Sequence, residues 1–181
     1  MRFLLRFSLA FALLVAVLAL IGLVLPRSYR VERSVTVAAA PAVVYPLVGD
    51  LARWSEWSLR AARDPQMQVT FSPATSGPGA WTEWRSARQG GGRAEIVEAL
   101  APERVSYRMS YSDLPVSGAG TFRLVATGGG ASTVVTWTSE GRLGWSPLVR
   151  WFGLLLRRLE GRELEQGLAA LQSRVEKNGA P

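Results

Sequence analysis

Residues 31–58 read VERSVTVAAAPAVVYPLVGDLARWSEWS, and this stretch decides the fold. From Tyr29 to Val37 the apolar side chains fall on odd positions only. A period of two is typical of a strand with one buried face, so we predict a strand here. The alternation ends at the three alanines that precede Pro41, where a different element must begin.

Two short helices are predicted directly after this strand. Pro41 favours a helix start, because proline lacks the N–H that would have no partner in the first helical turn. Pro46 and Gly49 keep the first helix short. Asp50 can cap a second helix, which runs through the tryptophan pair at positions 54 and 57.

The next part of the chain is a series of strand-like runs separated by turn residues such as SPATSGPG, QGGG and TGGGA. Connections this short join neighbouring antiparallel strands. A long helix follows Pro147 and is predicted to end near Lys177. The six strand-like runs cover residues 67–71, 80–87, 93–100, 104–111, 118–126 and 132–140.

An uncharged segment of nineteen residues, 7–25, precedes the strand. About 20 apolar residues span a bilayer as a helix. A cleaved signal peptide has a shorter apolar core, with small residues close behind it. We therefore predict an uncleaved transmembrane anchor over residues 1–26 and a single domain over residues 27–181.

The orientation of this anchor follows only weakly from its charges. Arg2 and Arg6 lie on one side of the segment, and Arg27, Arg30 and Arg33 lie on the other. The positive-inside rule therefore decides little, although a short basic N-terminal tail favours the cytoplasmic side. We expect a single-pass protein of a bacterial inner membrane, with its domain in the periplasm rather than in the cytoplasm.

Composition excludes several kinds of chemistry. The chain has no cysteine and no histidine, so it has no disulfide, thiol nucleophile, imidazole metal site or histidine-dependent triad. Its net charge of +7 comes from scattered arginines without a nucleic-acid recognition pattern. We expect no metal, no cofactor and no nucleic-acid partner, and the basic residues after the apolar segment suit acidic lipid headgroups.

The order of elements and three phrases of sequence resemble the SRPBCC superfamily, also called START-like or helix-grip proteins. The phrases are residues 31–58, ASTVVTWTSEG at residues 131–141 and ELEQGLAALQSRVE at residues 163–176. The resemblance covers about residues 29–177 and is strongest to the membrane-anchored, polyketide cyclase/dehydrase-like branch. One departure is Gln172, where the family usually carries a lysine.

This resemblance implies an α+β helix-grip fold, in which a curved seven-stranded antiparallel sheet surrounds a long C-terminal helix. In the family the space between them holds an apolar ligand. A period of two places aromatic side chains on the inward face, and Trp54 and Trp57 fall where the family's cavity opens. The predicted ligand-binding residues are Trp54, Trp57, Trp84, Tyr107, Met109, Tyr111, Phe122, Trp137, Gly153 and Arg157. A fully packed core is the alternative.

The closing helix has two apolar stripes on nearly opposite sides. The first consists of Leu148, Trp151, Phe152, Leu155 and Leu159, and the second of Leu164, Leu168, Leu171 and Val175. The helix therefore either breaks near Gly161 or presents one stripe to a second apolar surface. Trp151, Phe152 and Leu155 suit a membrane face, and a homodimer contact is the alternative. If the helix is straight, Gly153 and Arg157 face the cavity, where Arg157 could bind an acidic group.

The sequence favours a membrane-anchored binding protein for a hydrophobic small molecule such as a lipid, a quinone or a polyketide-like compound. An enzyme of the cyclase or dehydrase type is the first alternative, and a non-binding envelope scaffold is the second. No spacing forces two carboxylates together, so we assign no catalytic residue. Candidate acids and bases for the enzyme are Glu83, Glu95, Glu98, Asp113, Glu140, Tyr107 and Tyr111.

Overall fold

The computed structural model describes residues 2–112, 117–143 and 146–179. These residues form an α+β helix-grip fold, in which one antiparallel sheet curves around a long C-terminal helix. The helices are α1 (Arg2–Val24), α2 (Pro41–Gly49), α3 (Leu59–Arg63) and α4 (Pro147–Gly179). The strands are β1 (Ser28–Val37), β2 (Gln68–Phe71), β3 (Trp81–Ser86), β4 (Gly90–Leu100), β5 (Arg104–Tyr111), β6 (Ser117–Thr127) and β7 (Ser132–Arg142).

The sheet has the order β1-β7-β6-β5-β4-β3-β2, and all of its pairs are antiparallel. Every strand from β2 to β7 therefore pairs with its neighbour in sequence, as short turns require. The first strand, β1, lies at one edge of the sheet and pairs with the last strand, β7. This arrangement confirms the predicted seven-stranded sheet.

The predicted helix pair is present, with one difference. The second member, Leu51–Glu56, is a 3₁₀ helix, and the Asp50 carboxylate accepts a hydrogen bond from the Ala52 N–H at 3.0 Å. A side-chain acceptor at this position binds an N–H that has no partner within the helix. The short helix α3 follows it and was not predicted.

The core lies between the sheet and the second half of α4. Leu164, Leu168, Leu171 and Val175, the second apolar stripe, are all buried. Leu168, Leu171 and Val175 pack against strand residues such as Val37 and against the buried side of α2, whereas Leu164 packs with Tyr29 and Val31 of β1. Burial of this stripe stabilises the packing of α4 against the sheet.

Helix α4 does not break at Gly161. The helix is continuous over all 33 residues, and Gly161 is buried where a side chain would meet Arg33 of β1. Glycine here permits close approach of the helix to the strand. Of the two alternatives predicted for α4, a break near Gly161 is therefore wrong. The helix follows the other alternative, in which the first apolar stripe meets a second apolar surface.

At Trp151 that surface is helix α1. The Trp151 indole donates a hydrogen bond to the Leu18 carbonyl at 3.0 Å, and Gly22 lies against Pro147. The Arg150 side chain is 1% exposed, and its guanidinium donates to the carbonyls of Gly22 and Leu23. A cation suits a helix C-terminus, where carbonyl groups lack partners. The side chains of Leu148, Phe152 and Leu155 lie outside the described part of the chain, and Leu159 is exposed.

Candidate functional site: a cavity between the sheet and helix α4

A cavity of about 140 Å³ lies between the sheet and helix α4. An engineered apolar cavity of about 150 Å³ accommodates benzene, so this space admits a ring-sized guest without rearrangement. Val69 and Phe71 of β2 are 39% and 38% exposed among its lining residues, so the cavity meets the surface at this edge strand. The interior of the fold is therefore incompletely packed.

Seven of the ten predicted ligand-binding residues line this cavity. Five of them come from β3, β5 and β7, where a period of two places their side chains on the concave face of the sheet, and Trp54 and Trp57 come from the 3₁₀ helix and the residue that ends it. Whether they bind a ligand stays a prediction. The seven are Trp54, Trp57, Trp84, Tyr107, Met109, Tyr111 and Trp137.

The other three predicted residues lie elsewhere, which corrects their placement. Phe122 is fully buried in the core, because the rings of Trp54, Trp57, Tyr107 and Trp137 all pack against it. It supports the wall of the cavity from behind without lining it.

Gly153 and Arg157 lie on the part of α4 that precedes the cavity. A side chain at Gly153 would overlap Leu143, just beyond the end of β7, and Arg157 is exposed. The sequence pattern of α4 does not indicate which of its turns lie beside the cavity, so the position of Gly153 and Arg157 along the helix could not be predicted. The helix contributes Glu160, Glu163, Leu164 and Gly167 to the lining instead.

The tryptophan pair at positions 54 and 57 forms a fixed part of the wall. The Trp54 indole donates to the Val48 carbonyl at 3.0 Å, and the Trp57 indole donates to the Leu47 carbonyl at 2.8 Å. The Trp57 ring also lies edge-on to Trp137, with ring centroids 5.7 Å apart. Both rings thus tie the end of α2 to the sheet while facing the cavity.

Glycines on neighbouring strands make room for the aromatic rings of the wall. Tyr107 lies opposite Gly120, Trp84 opposite Gly92 and Tyr29 opposite Gly141 in the strand register. A methyl group added at any of these three glycines would overlap the ring across from it. Each ring therefore covers the backbone of the next strand, a cross-strand arrangement that no local sequence pattern reveals.

Tyr107 holds its hydroxyl in a fixed position inside the wall. The oxygen accepts a hydrogen bond from the Trp137 indole at 2.9 Å. Burial raises the pKa of the Tyr107 hydroxyl above its ordinary value, so this group stays protonated at physiological pH. The cavity wall is consequently neutral on this side.

Glu160 is the functional group that sequence reasoning missed. It lines the cavity from α4, and its carboxyl oxygen Oε1 accepts a hydrogen bond from the Tyr29 hydroxyl at 3.3 Å. Burial raises the pKa of the Glu160 carboxyl above its ordinary value, and repulsion from Glu163 adds to this effect. Burial also raises the pKa of Tyr29. Glu160 lies four residues before Leu164, so the two side chains share one face of the helix. This spacing is the sequence signal that could have predicted Glu160 at the cavity.

The carboxylates that the sequence offered as acids or bases do not point into the cavity. Glu83 and Glu95 pair with Arg93, Glu98 pairs with Arg104, and Glu140 pairs with Arg30. These pairs belong to the convex face of the sheet. Asp113 lies outside the described residues. In the described ranges, no three acidic side chains are arranged as metal ligands.

Arg60 of helix α3 supplies the cationic side of the cavity. Its guanidinium carbon lies 4.0 Å from the centroid of the Trp84 ring, as in a cation–π contact. The Arg60 carbonyl accepts a hydrogen bond from the Gln89 side chain at 3.1 Å, which ties α3 to the turn between β3 and β4. The sequence analysis predicted an arginine at the cavity, but it named Arg157, and the arginine that lines the cavity is Arg60.

Solved structures similar to this chain share its fold. A protein from Thermobifida fusca determined by solution NMR is 23% identical, with a TM-score of 0.61 over 82% of this chain and 93% of that chain. Norcoclaurine synthase from Thalictrum flavum, solved with dopamine and hydroxybenzaldehyde, is 12% identical, with a TM-score of 0.63 over 89% and 94%. At these identities the likeness concerns the fold alone.

A third similar structure is the di-domain ARO/CYC protein BexL from the BE-7585A biosynthetic pathway. It is 20% identical, with a TM-score of 0.62 over 84% of this chain and 48% of that chain. No curated protein sequence matches the chain. Residues 28–176, however, match the family described as polyketide cyclase / dehydrase and lipid transport. The match spans the sheet, the cavity and almost all of α4, and confirms the resemblance to the SRPBCC superfamily. The chain therefore belongs to the polyketide cyclase / dehydrase and lipid transport family.

Proposed function

We propose that this protein is a membrane-anchored binding protein that holds a hydrophobic small molecule between the sheet and helix α4. The single observation that supports this most is the cavity with its aromatic wall. Ligand sites are typically apolar clefts with a few polar groups that orient the guest. Here the polar groups are Tyr29, Glu160 and Arg60, and the apolar wall is formed chiefly by tryptophan rings.

Native mass spectrometry of the full chain, extracted in mild detergent, tests this function. We expect an apolar molecule to co-purify with the wild type. Met109→Trp enlarges a side chain that lines the cavity and should reduce the bound fraction. Val125→Trp, on the exposed face of β6, adds the same ring outside the cavity and is the matched control. Equal occupancy in both variants would contradict binding in the cavity.

Helix α1 is the proposed anchor. Residues Arg6–Val24 form an apolar helix of 19 residues, 6% buried, which is long enough to cross a bilayer by length and composition. Its apolar side chains, such as Leu9 and Leu13, are exposed along most of its length. An anchor suits the proposed function, because a hydrophobic ligand dissolves in the bilayer to which the domain would be tethered. Retention of the protein in membranes after alkaline carbonate washing is the expected result.

The proposed periplasmic orientation has its own test. Since the chain has no cysteine, a cysteine introduced at the exposed Ser173 is a unique labelling site. We expect a membrane-impermeant maleimide to label it in spheroplasts without lysis. Labelling only after lysis would place the domain in the cytoplasm.

An enzyme of the cyclase or dehydrase type is the second candidate, and Glu160 is the observation that favours it. A buried carboxyl with a raised pKa can act as a general acid or base toward a bound substrate. In a dehydration its carboxylate would accept the proton removed from carbon and then deliver that same proton to the departing hydroxyl group, which leaves as water. If Glu160 is catalytic, Glu160→Gln should retain an unconverted molecule with a mass different from that bound by the wild type. Identical bound masses would favour the binding protein.

A further inference from the structure

The Arg60 guanidinium has donors to spare on the side that faces the cavity. Its central carbon lies 4.0 Å from the centroid of the Trp84 ring, a contact that uses none of the N–H donors in a hydrogen bond. Their partners inside the cavity are weak or neutral: Nη2 donates to the Met109 sulfur at 3.8 Å, and the guanidinium also interacts with the Tyr111 hydroxyl. A thioether is a weak acceptor, whereas an arginine carries five N–H donors.

The acidic side chains of the cavity have other partners. Glu160 accepts the Tyr29 hydroxyl, and Glu163 lies 3.8 Å from Arg63. Within the described ranges of the chain, no carboxylate lies within 4.0 Å of the Arg60 guanidinium. The raised pKa of Glu160 further reduces the negative charge available to Arg60. The cavity therefore contains a cation that forms no ion pair within 4.0 Å, although Glu160 is near enough to interact with it electrostatically.

Resting on the function proposed above, we infer that the ligand is an amphiphile with a carboxylate, which Arg60 binds through its N–H groups. A guanidinium matches the two oxygens of a carboxylate in a planar, bidentate arrangement. A doubly charged group such as a phosphate monoester fits less well, because Glu160 and Glu163 line the same space. The tail of the amphiphile lies against the rings of Trp54, Trp57 and Trp137.

The test compares three ligands with the same tail, namely dodecanoic acid, dodecanol and dodecylamine. The full chain is held in amphipol at about pH 8, where the free acid is ionised. Each ligand displaces the uncharged dye N-phenyl-1-naphthylamine, and the fluorescence decrease gives its affinity. We expect the acid to bind about tenfold or more tightly than the alcohol, as charge-assisted hydrogen bonds predict.

Two variants assign this preference to one arginine. Arg60→Gln should lower the affinity for the acid much more than the affinity for dodecanol, so that the preference disappears, and retained binding of the uncharged dye shows that the cavity is intact. Arg157→Gln, at an exposed position of α4, removes the same charge outside the cavity and should keep the full preference. Arg60→Lys, which retains the charge but not the planar fork, should keep part of it.

The outcomes separate this inference from the proposed function. Equal affinities for acid and alcohol, tighter binding of the amine, or an unchanged preference in Arg60→Gln would overturn the inference and leave hydrophobic binding standing. If neither the dye nor any of the three ligands binds, the proposed function fails, and the inference fails with it.

Discussion

The space between the sheet and helix α4 is filled at one end and hollow at the other. The filled end consists of branched aliphatic side chains, among them Val37, Val44, Val48, Leu171 and Val175, all of them buried. The hollow end is bounded by aromatic rings, namely Trp54, Trp57, Trp84, Tyr107 and Trp137. The same sheet and the same helix therefore form a solid core and a cavity.

Side-chain shape explains the difference. Aliphatic side chains interlock and fill a space to the density of an organic crystal. The rings at the hollow end are held in place, since Trp57 and Tyr107 use their polar groups in hydrogen bonds and Tyr107 lies over Gly120. Rings fixed in this way cannot move inward to close the gap. Four tests, each based on one or two substitutions, follow from this comparison and are given from the largest expected effect to the smallest.

Trp57 joins the two ends, so its loss should have the largest effect. Trp57→Ala removes a ring that is 4% exposed, together with its hydrogen bond to the Leu47 carbonyl. We expect the free energy of unfolding to fall by ~3–5 kcal/mol, as for a buried aromatic residue. Chemical denaturation followed by circular dichroism measures the change.

Trp81 provides the matched control for that substitution. It is a half-buried tryptophan on the convex face of the sheet, covered by Arg93 at 4.4 Å. Trp81→Ala should reduce the free energy of unfolding by no more than ~1 kcal/mol, as is usual for residues near the surface. Equal losses for Trp57 and Trp81 would show that Trp57 does not join the two ends.

Matched truncations at the two ends should differ next. Leu171→Ala at the filled end removes a fully buried side chain and should cost about 2–4 kcal/mol, because a cavity is left behind. Met109→Ala at the hollow end enlarges an existing space and should cost less than about 1.5 kcal/mol. Both values come from urea unfolding curves. Equal costs would mean that the two ends are equally packed.

Gly120→Ala tests whether a glycine sets the position of the Tyr107 ring. The added methyl group would overlap this ring, so the ring or the strand must shift at a cost of about 1–3 kcal/mol. Thermal melting and tryptophan fluorescence report the shift. Gly118→Ala, two residues earlier on β6, meets only the Glu140 carbonyl at 3.1 Å and should cost less. A larger loss at Gly118 would contradict the role of Gly120.

Glu160→Gln should have the smallest effect on stability, and its sign depends on pH. Because burial raises the pKa of the folded carboxyl, the folded state binds a proton more tightly than the unfolded state. The free energy of unfolding of the wild type should therefore fall as pH rises from the unfolded pKa through the raised folded pKa.

The Glu160→Gln variant should lose this slope and be the more stable protein above that range. Glu163 contributes repulsion, and Tyr29 and Arg60 oppose the shift, so all three remain unchanged in the experiment. Thermal melting between about pH 4 and pH 9 covers the window. Parallel pH profiles for wild type and variant would show that Glu160 is not buried in the cavity as described.

Much of this architecture was predictable from the sequence, because its signals are local. The alternation in residues 31–37, the short turns between strands and the start of α4 at Pro147 each depend on nearby residues. Those signals were sufficient for the seven strands, their antiparallel order and the inward position of five cavity residues, whereas the position of Trp54 and Trp57 at the cavity followed from the family resemblance. They also showed the two opposed stripes of α4, of which the second is the core.

The tertiary structure alone decided how distant elements combine. The register of β5 and β6 brings Tyr107 over Gly120, and the docking of α3 brings Arg60 over Trp84. The length of α4 beyond the sheet placed Glu160, rather than Arg157, at the cavity. Each of these features depends on contacts between residues far apart in the chain. A period of two or 3.6 residues in the sequence indicates which face of a strand or helix is buried, but it does not indicate which partner covers that face.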